Sequence, residues 1–294
     1  MTDVRCAAKS QDILGEGPVW VAAEGKLYWF DIKGFRLNWL SHGDGAWGGF
    51  DLPVRGSVAT PRTSGGLLLV TEAGLGHFDT ATGEFELTQP MSFAPGFRTN
   101  DGKIDVAGRL WWSTMDDDGG KRPGDLYRTD PDGQTHKVWE GLNIANTTSC
   151  SPDGKTYYLA DSAKRTIYAH DLAADGSLGL RRVFAGTHGG KGAPDGSAVD
   201  SEGYVWNAQW GASRIVRFAP NGSVDRVVPM PVKQPSSCAF GGPDLTTLYV
   251  TTAREYLSEA AQADQPWAGN LLAFEPGVTG LPLPAFAGKV GSEA

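Results

Sequence analysis

Short apolar and aromatic runs recur along the chain, bounded by Asp, Pro, Asn and Gly. Aligning Tyr28, Leu68, Trp111, Tyr157, Val205 and Tyr249 sets them about 40 to 48 residues apart, the period of one four-stranded sheet per repeat. Each repeat opens on a hydrophobic inner segment and turns at Ala23-Glu24-Gly25-Lys26, Asp105-Val106-Ala107-Gly108, Ser151-Pro152-Asp153-Gly154 or Asp200-Ser201-Glu202-Gly203 before an aromatic or β-branched strand. A third strand follows in register in all six copies, over 35–39, 75–78, 124–128, 165–169, 213–217 and 270–274. Turns such as Asp130-Pro131-Asp132-Gly133 and Ala219-Pro220-Asn221-Gly222 then lead to short outer segments such as Val227-Val228-Pro229. The pattern predicts an all-β chain, a six-bladed β-propeller spanning 1–294 as one domain.

Two segments stand apart from the repeats. Residues 4–8 precede the first inner strand and are expected to pair with the last blade near 283–287, which would close the ring and remove an exposed sheet edge. Residues 256–267 contain the helix-forming run Ser258-Glu259-Ala260-Ala261-Gln262-Ala263, led by an N-cap serine, between the second and third strands of the final repeat. An insertion there either covers part of the pocket or forms a plain surface loop.

Four repeats carry a polar residue ten to twelve positions before the anchor: Glu16, Asn100, Asn146 and Asp195. Radial repetition brings such positions together on one axis. An Asp or Asn before Gly usually serves a turn, as Asp153 and Asp200 do, but these four occur where inner strands begin. Two carboxylates and an amide oxygen, Glu16, Asp195 and Asn146, form a hard ligand set suited to Ca²⁺, Mg²⁺, Mn²⁺ or Fe²⁺. The histidines, His42, His77, His136, His170 and His188, are read as lying in turns or outer strands, against a His-rich zinc site. Arg98 beside Asn100 is suited to binding hydroxyls or a developing anion, the competing role being a blade-to-blade salt bridge. Asp101 is placed to orient Asn100 or a bound water, or to cap the next turn. Among ten tryptophans, Trp210 and Trp267 stand out for stacking on a sugar face, against a packing role.

A formal charge of −8 argues against a nucleic-acid partner. Residues 1–11 lack the apolar core of a signal peptide and no long apolar stretch follows, so a soluble, cytoplasmic chain without a membrane partner is expected, with no need of a second copy to bury its core. Cys6, Cys150 and Cys238 are few, odd in number and far apart, which suits reduced thiols; Cys150 and Cys238 read as packing residues. No GxSxG elbow, P-loop or dinucleotide fingerprint is present.

The segments LGEGPVW with LYWFDIK, RTNDGKIDVAGRLWWSTM, SPDGKTYYLADSAKRTIYAHDL, PDGSAVDSEGYVWNAQW and CAFGGPDLTTLYVTTAR together resemble the senescence-marker-protein, gluconolactonase and luciferin-regenerating-enzyme family, which includes regucalcin and bacterial sugar lactonases. The chain looks most like lactonases of pentonolactones such as xylono- and arabinonolactone. The resemblance implies a six-bladed propeller with one catalytic divalent metal on the axis, Ca²⁺, Zn²⁺, Mn²⁺, Mg²⁺ or Fe²⁺ all remaining open. It maps metal ligation onto Glu16, Asn146 and Asp195, contact with substrate hydroxyls onto Arg98 and Asn100, and the base onto Asp195 or the water beside it. The implied substrate is a sugar-acid lactone, pentono- or hexono-, and the implied reaction its hydrolysis. Many relatives have Gly after the metal-binding Asn where this chain has Thr147, a residue strained at positive φ. Hydrolysis of other esters or organophosphates, a Ca²⁺- or sugar-binding propeller without turnover, and a protein-binding scaffold are the competing readings.

Overall fold

The computed structural model describes residues 3–187 and 190–291, so His188 lies outside it. Six four-stranded antiparallel sheets follow one another around a ring. Blade 1 is Gly15–Val21, Lys26–Asp31, Arg36–Ser41 and Trp47–Asp51. Blade 2 is Gly56–Pro61, Leu67–Thr71, Gly74–Phe78 and Phe85–Pro90, and blade 3 is Phe97–Ile104, Leu110–Asp116, Gly124–Thr129 and Thr135–Leu142. Blade 4 is Ala145–Cys150, Thr156–Asp161, Thr166–Leu172 and Leu178–Gly186, and blade 5 is Ala193–Val199, Val205–Trp210, Arg214–Phe218 and Val224–Pro229. Blade 6 takes Pro235–Gly241, Thr247–Thr252 and Leu271–Phe274, and its outermost strand is Arg5–Ala8. The expected six-bladed propeller is therefore the observed one.

The hydrophobic interior is divided among the seams between blades. Tyr28, Phe30 and Leu37 of blade 1 pack on Leu67, Leu69 and Phe78 of blade 2; Trp111 and Leu126 of blade 3 pack on Tyr157 and Leu159 of blade 4. Comparable clusters fill the other four seams, including the one joining blades 6 and 1. A strand buried on both faces reads as a continuous apolar run, which is why Leu67–Thr71 shows no alternation. Cys150 and Cys238 lie in such seams, where burial pushes their thiols up to about 11 and about 12, in keeping with packing roles.

Ring closure differs from the expectation. Arg5, Cys6 and Ala8 pair with Ala273, Leu272 and Leu271, the third strand of blade 6, and not with 283–287. Pro282 and Pro284 cannot donate to a ladder. The C-terminal segment instead crosses from blade 6, where Gly280 N donates to Leu245 O at 2.8 Å, to blade 2, where Phe286 N donates to Pro61 O at 2.7 Å. His77 and His170 also depart from the reading, since both are buried in third strands. The helix appears as Glu259–Ala263, with Ser258 Oγ accepting from Ala261 N at 3.3 Å. Among the described residues no helix is long and apolar enough to cross a membrane.

Candidate active site

Every inner strand carries a bulge near its start. In blade 1, Glu16 opposes Phe30 but Val19 opposes Tyr28, so one extra residue is inserted; similar shifts follow Thr99, Asn146 and Pro194. A bulge bends its strand and re-aims the side chain beside it. The first pairs after these bulges are Val19 with Tyr28, Gly102 with Trp112, Ser149 with Tyr158, and Ser197 with Asn207. In that register Glu16, Asn100, Asn146 and Asp195 each precede the equivalent partner by the same twelve residues. The sequence anchors Trp111, Tyr157 and Val205 lie one or two residues early, which accounts for the uneven offsets.

All four residues line one cleft of about 180 Å³, together with Arg98, Ser162, Trp210, Glu255 and Tyr256. Glu16, Asn100, Asn146, Asp195 and Arg98 are buried. Arg98 Nη1 donates to Asn100 Oδ1 at 2.7 Å, Asn100 Nδ2 donates to Asn146 Oδ1 at 3.0 Å, and Asn146 Nδ2 donates to Ser162 Oγ at 2.9 Å. Ser162 in turn donates to Pro194 O at 2.6 Å, beside Asp195. This relay fixes which face each amide turns to the cleft. Ser162 escaped the sequence reading because it follows a second strand, outside the inner-strand pattern.

Backbone conformation separates two pairs. Gly17 and Thr147, directly after Glu16 and Asn146, both take positive φ, +57° and +59°. A Cβ on Gly17 would meet Ser57 O at 2.2 Å, so glycine is required there. Thr147 takes the same left-handed turn, and its strain is offset locally: its Oγ1 donates to Asp195 O at 2.6 Å and accepts from Asn207 Nδ2 at 3.2 Å. The departure from Gly thus keeps the backbone path and ties blade 4 to blade 5.

The Asp101 carboxylate makes no hydrogen bond to Asn100 among the described residues. Its Oδ2 accepts from Thr148 N and Oγ1, both at 2.9 Å, and its Oδ1 accepts from Gly102 N, so it caps the bulge and joins blades 3 and 4. Arg98 also forms an ion pair, but within blade 3 and not directly from blade to blade. Its Nε donates at 2.8 Å to Asp117, which also receives Lys33 Nζ of blade 1 at 2.7 Å and Arg55 Nη1 at 2.8 Å. Burial alone would raise the Asp117 carboxyl, but hydrogen bonds from Lys33, Arg55 and Arg98 hold it well below the usual carboxylate range. Trp210 lines the cleft, whereas Trp267 packs on the seam between blades 5 and 6.

The electrostatics invert at the centre. Glu16 is pushed upward by burial and then by the charge of Asp101, and Asp195 by burial and then by Glu16. Neither forms an ion pair among the described residues. Two buried carboxylates facing one cleft with no direct ion pair, and with only the Arg98 guanidinium nearby, form with an amide oxygen a donor set short of positive charge, which fits a divalent cation. Three or more His, Cys, Asp or Glu do not cluster among the described residues, and the amides of Asn146 and Asn100 lie in the same cleft as the two carboxylates.

The sequence profile of the SMP-30/Gluconolactonase/LRE-like region matches residues 14–254. The chain is 34% identical over 290 residues to the 6-deoxy-6-sulfogluconolactonase of Pseudomonas putida, covering 97% of this chain and 99% of that one. It is 36% identical to the L-arabinolactonase of Azospirillum brasilense, covering 96% and 94%. A crystal structure of a calcium-binding protein, regucalcin, from Agrobacterium tumefaciens superposes with a TM-score of 0.92 at 33% identity, covering 97% of each chain. This chain belongs to the SMP-30/gluconolactonase/LRE-like family.

Proposed function

We propose that the protein hydrolyses sugar-acid lactones to the open aldonic acids with one divalent cation held by Glu16, Asn146 and Asp195. The observation that carries this reading is the pair of buried, unneutralised carboxylates beside Arg98 and Asn100 in one small cleft. Sugar lactonases among the relatives, including the pentonolactonase of Haloferax volcanii at 34% identity, support the substrate class.

When bound, the cation supplies Lewis-acid polarisation of a lactone carbonyl and a lower pKa for water. The chain's own groups do the rest. Arg98, held by Asp117 and Asn100, presents fixed N–H donors to ring hydroxyls, and the Asn100 amide is locked between Arg98 and Asn146. Asp195 Oδ takes a proton as water adds to the carbonyl carbon. The C–O ring bond then breaks, and the leaving ring oxygen takes that proton back from Asp195 to become a hydroxyl of the aldonic acid. The bulged backbone holds Asp195 in place through Thr147 and Asn207, which bond its carbonyl at 2.6 and 2.9 Å.

Hydrolysis of D-xylono-, L-arabinono-, D-galactono- and D-gluconolactone, followed by proton release beside a phosphotriester control, tests the reading. Turnover of at least one sugar lactone above the spontaneous rate is expected. Turnover confined to the phosphotriester, or bound Ca²⁺ with no turnover, would move the protein to another hydrolase class or to a binding role.

A further inference from the structure

Tyr256 is the least economical residue of the cleft. It is 77% exposed, and its backbone holds a left-handed φ of +63° that costs an L side chain about 1–2 kcal/mol. The segment around it is tied down. Arg254 N and Glu255 N both donate to Ile13 O, at 3.1 and 2.9 Å, and Gln234 Nε2 donates to Glu255 O at 2.8 Å. On the far side, Leu257 O accepts from Gln262 Nε2 at 3.0 Å, joining the segment to the capped helix Glu259–Ala263. A strained backbone survives where its surroundings over-determine it, and here the fixed backbone carries an aromatic residue that lines the cleft containing Glu16, Arg98 and Asp195. Glu255 and Arg98 line the same cleft as Tyr256 and supply its polar side. Met115, Ile144 and Trp210 give the same cleft its apolar lining.

We propose that Tyr256 is a specificity-determining residue whose ring packs on the apolar C–H face of the bound lactone ring. The inference rests on the lactonase reading. The backbone beneath the ring is already fixed and a tyrosine has few side-chain torsions to lose when a sugar covers it, so its contact area turns into affinity at low entropic cost. Stacking needs the ring and not the hydroxyl, and it acts in the bound ground state and in the transition state alike. Its loss therefore weakens substrate binding and leaves the chemical step in place.

The test is steady-state hydrolysis of D-xylono-, L-arabinono- and D-gluconolactone by wild type, Y256A and Y256F, with a thermal melt of each. Y256A is expected to raise KM about 3- to 10-fold with kcat within about threefold, and Y256F to recover the wild-type KM. The melting temperatures should agree within about 2 °C, since an exposed side chain carries little stability. An unchanged KM in Y256A overturns the inference, as does a Y256F as impaired as Y256A, which would assign the effect to the hydroxyl. A wild type that turns over none of the three lactones overturns the lactonase reading itself, and that failure is read without any variant.

Discussion

Replacing Asp195 by Asn should abolish turnover and at the same time make the metal-free protein more stable at pH 8. The two buried carboxylates of the cleft, Glu16 and Asp195, repel each other and have no ion-pair partner among the described residues. Their folded pKa values lie above the unfolded ones, so the fold binds protons more tightly than the unfolded chain. The stability this contributes is complete below the unfolded carboxylate range near 4 and is lost as pH rises through the folded values. As pH rises toward 8 the protons held by Glu16 and Asp195 are progressively lost, so wild type gathers negative charge in the cleft that D195N does not. The effective penalty of a buried ion is several kcal/mol, and an open cleft lets water in, so about 3 kcal/mol for Asp195 is the working figure. Asn is nearly isosteric with the protonated acid and removes the repulsion on Glu16. At about 2–4 °C per kcal/mol, D195N should melt roughly 6–12 °C above wild type at pH 8 in chelator and near wild type at pH 5. Asp12, which burial pushes up to about 7, loses stability over the same range but is common to both proteins and cancels. Differential scanning fluorimetry at both pH values reads the difference. Equal destabilisation of D195N at pH 5 and pH 8 would refute the reasoning, because the carboxylate would then be a structural acceptor and not an ion-binding group.

Three further outcomes follow from the same geometry. Asp117→Asn leaves Lys33, Arg55 and Arg98 converging on a neutral amide, and should lower kcat/KM about 10- to 100-fold through a mispositioned Arg98, read by lactone kinetics. Thr147→Gly relieves the left-handed φ but loses the hydroxyl bonds and should stay within about 1 kcal/mol of wild type, whereas Thr147→Val keeps the strain, loses the bonds and should cost about 2–3 kcal/mol by urea denaturation. Because Glu16 and Asp195 must shed protons to hold a cation, calorimetric affinity for a divalent metal should tighten about 10- to 100-fold from pH 6 to pH 8 with proton release, and a pH-independent affinity would count against these ligands.

The repeat was legible because hairpin turns leave Asp-Gly and Pro-Asp-Gly signatures at a fixed period, and because Glu16, Asn100, Asn146 and Asp195 break an apolar strand at one place in each copy. What escaped was long-range. Asp117 draws cations from positions 84, 62 and 19 residues away, a separation that no local pattern encodes. Threonine ordinarily avoids a left-handed turn, so at Thr147 only the family resemblance, and not the residue itself, pointed to the bend that Gly17 announces in blade 1. The closure of the ring was mispaired because 271–274 and 283–287 are both short apolar segments, and only Pro284 within the second argues against its joining the ladder. The left-handed Tyr256 likewise depends on hydrogen bonds to Ile13 and Gln234, more than twenty residues away for each atom involved.

The most direct test of the account is lactone turnover by chelator-stripped protein as a single divalent metal is titrated back, with bound metal counted in the same samples. The account predicts no turnover without metal, full turnover at about one ion per chain, and neither binding nor turnover in D195N. Full turnover by stripped wild type, or by D195N, would contradict it.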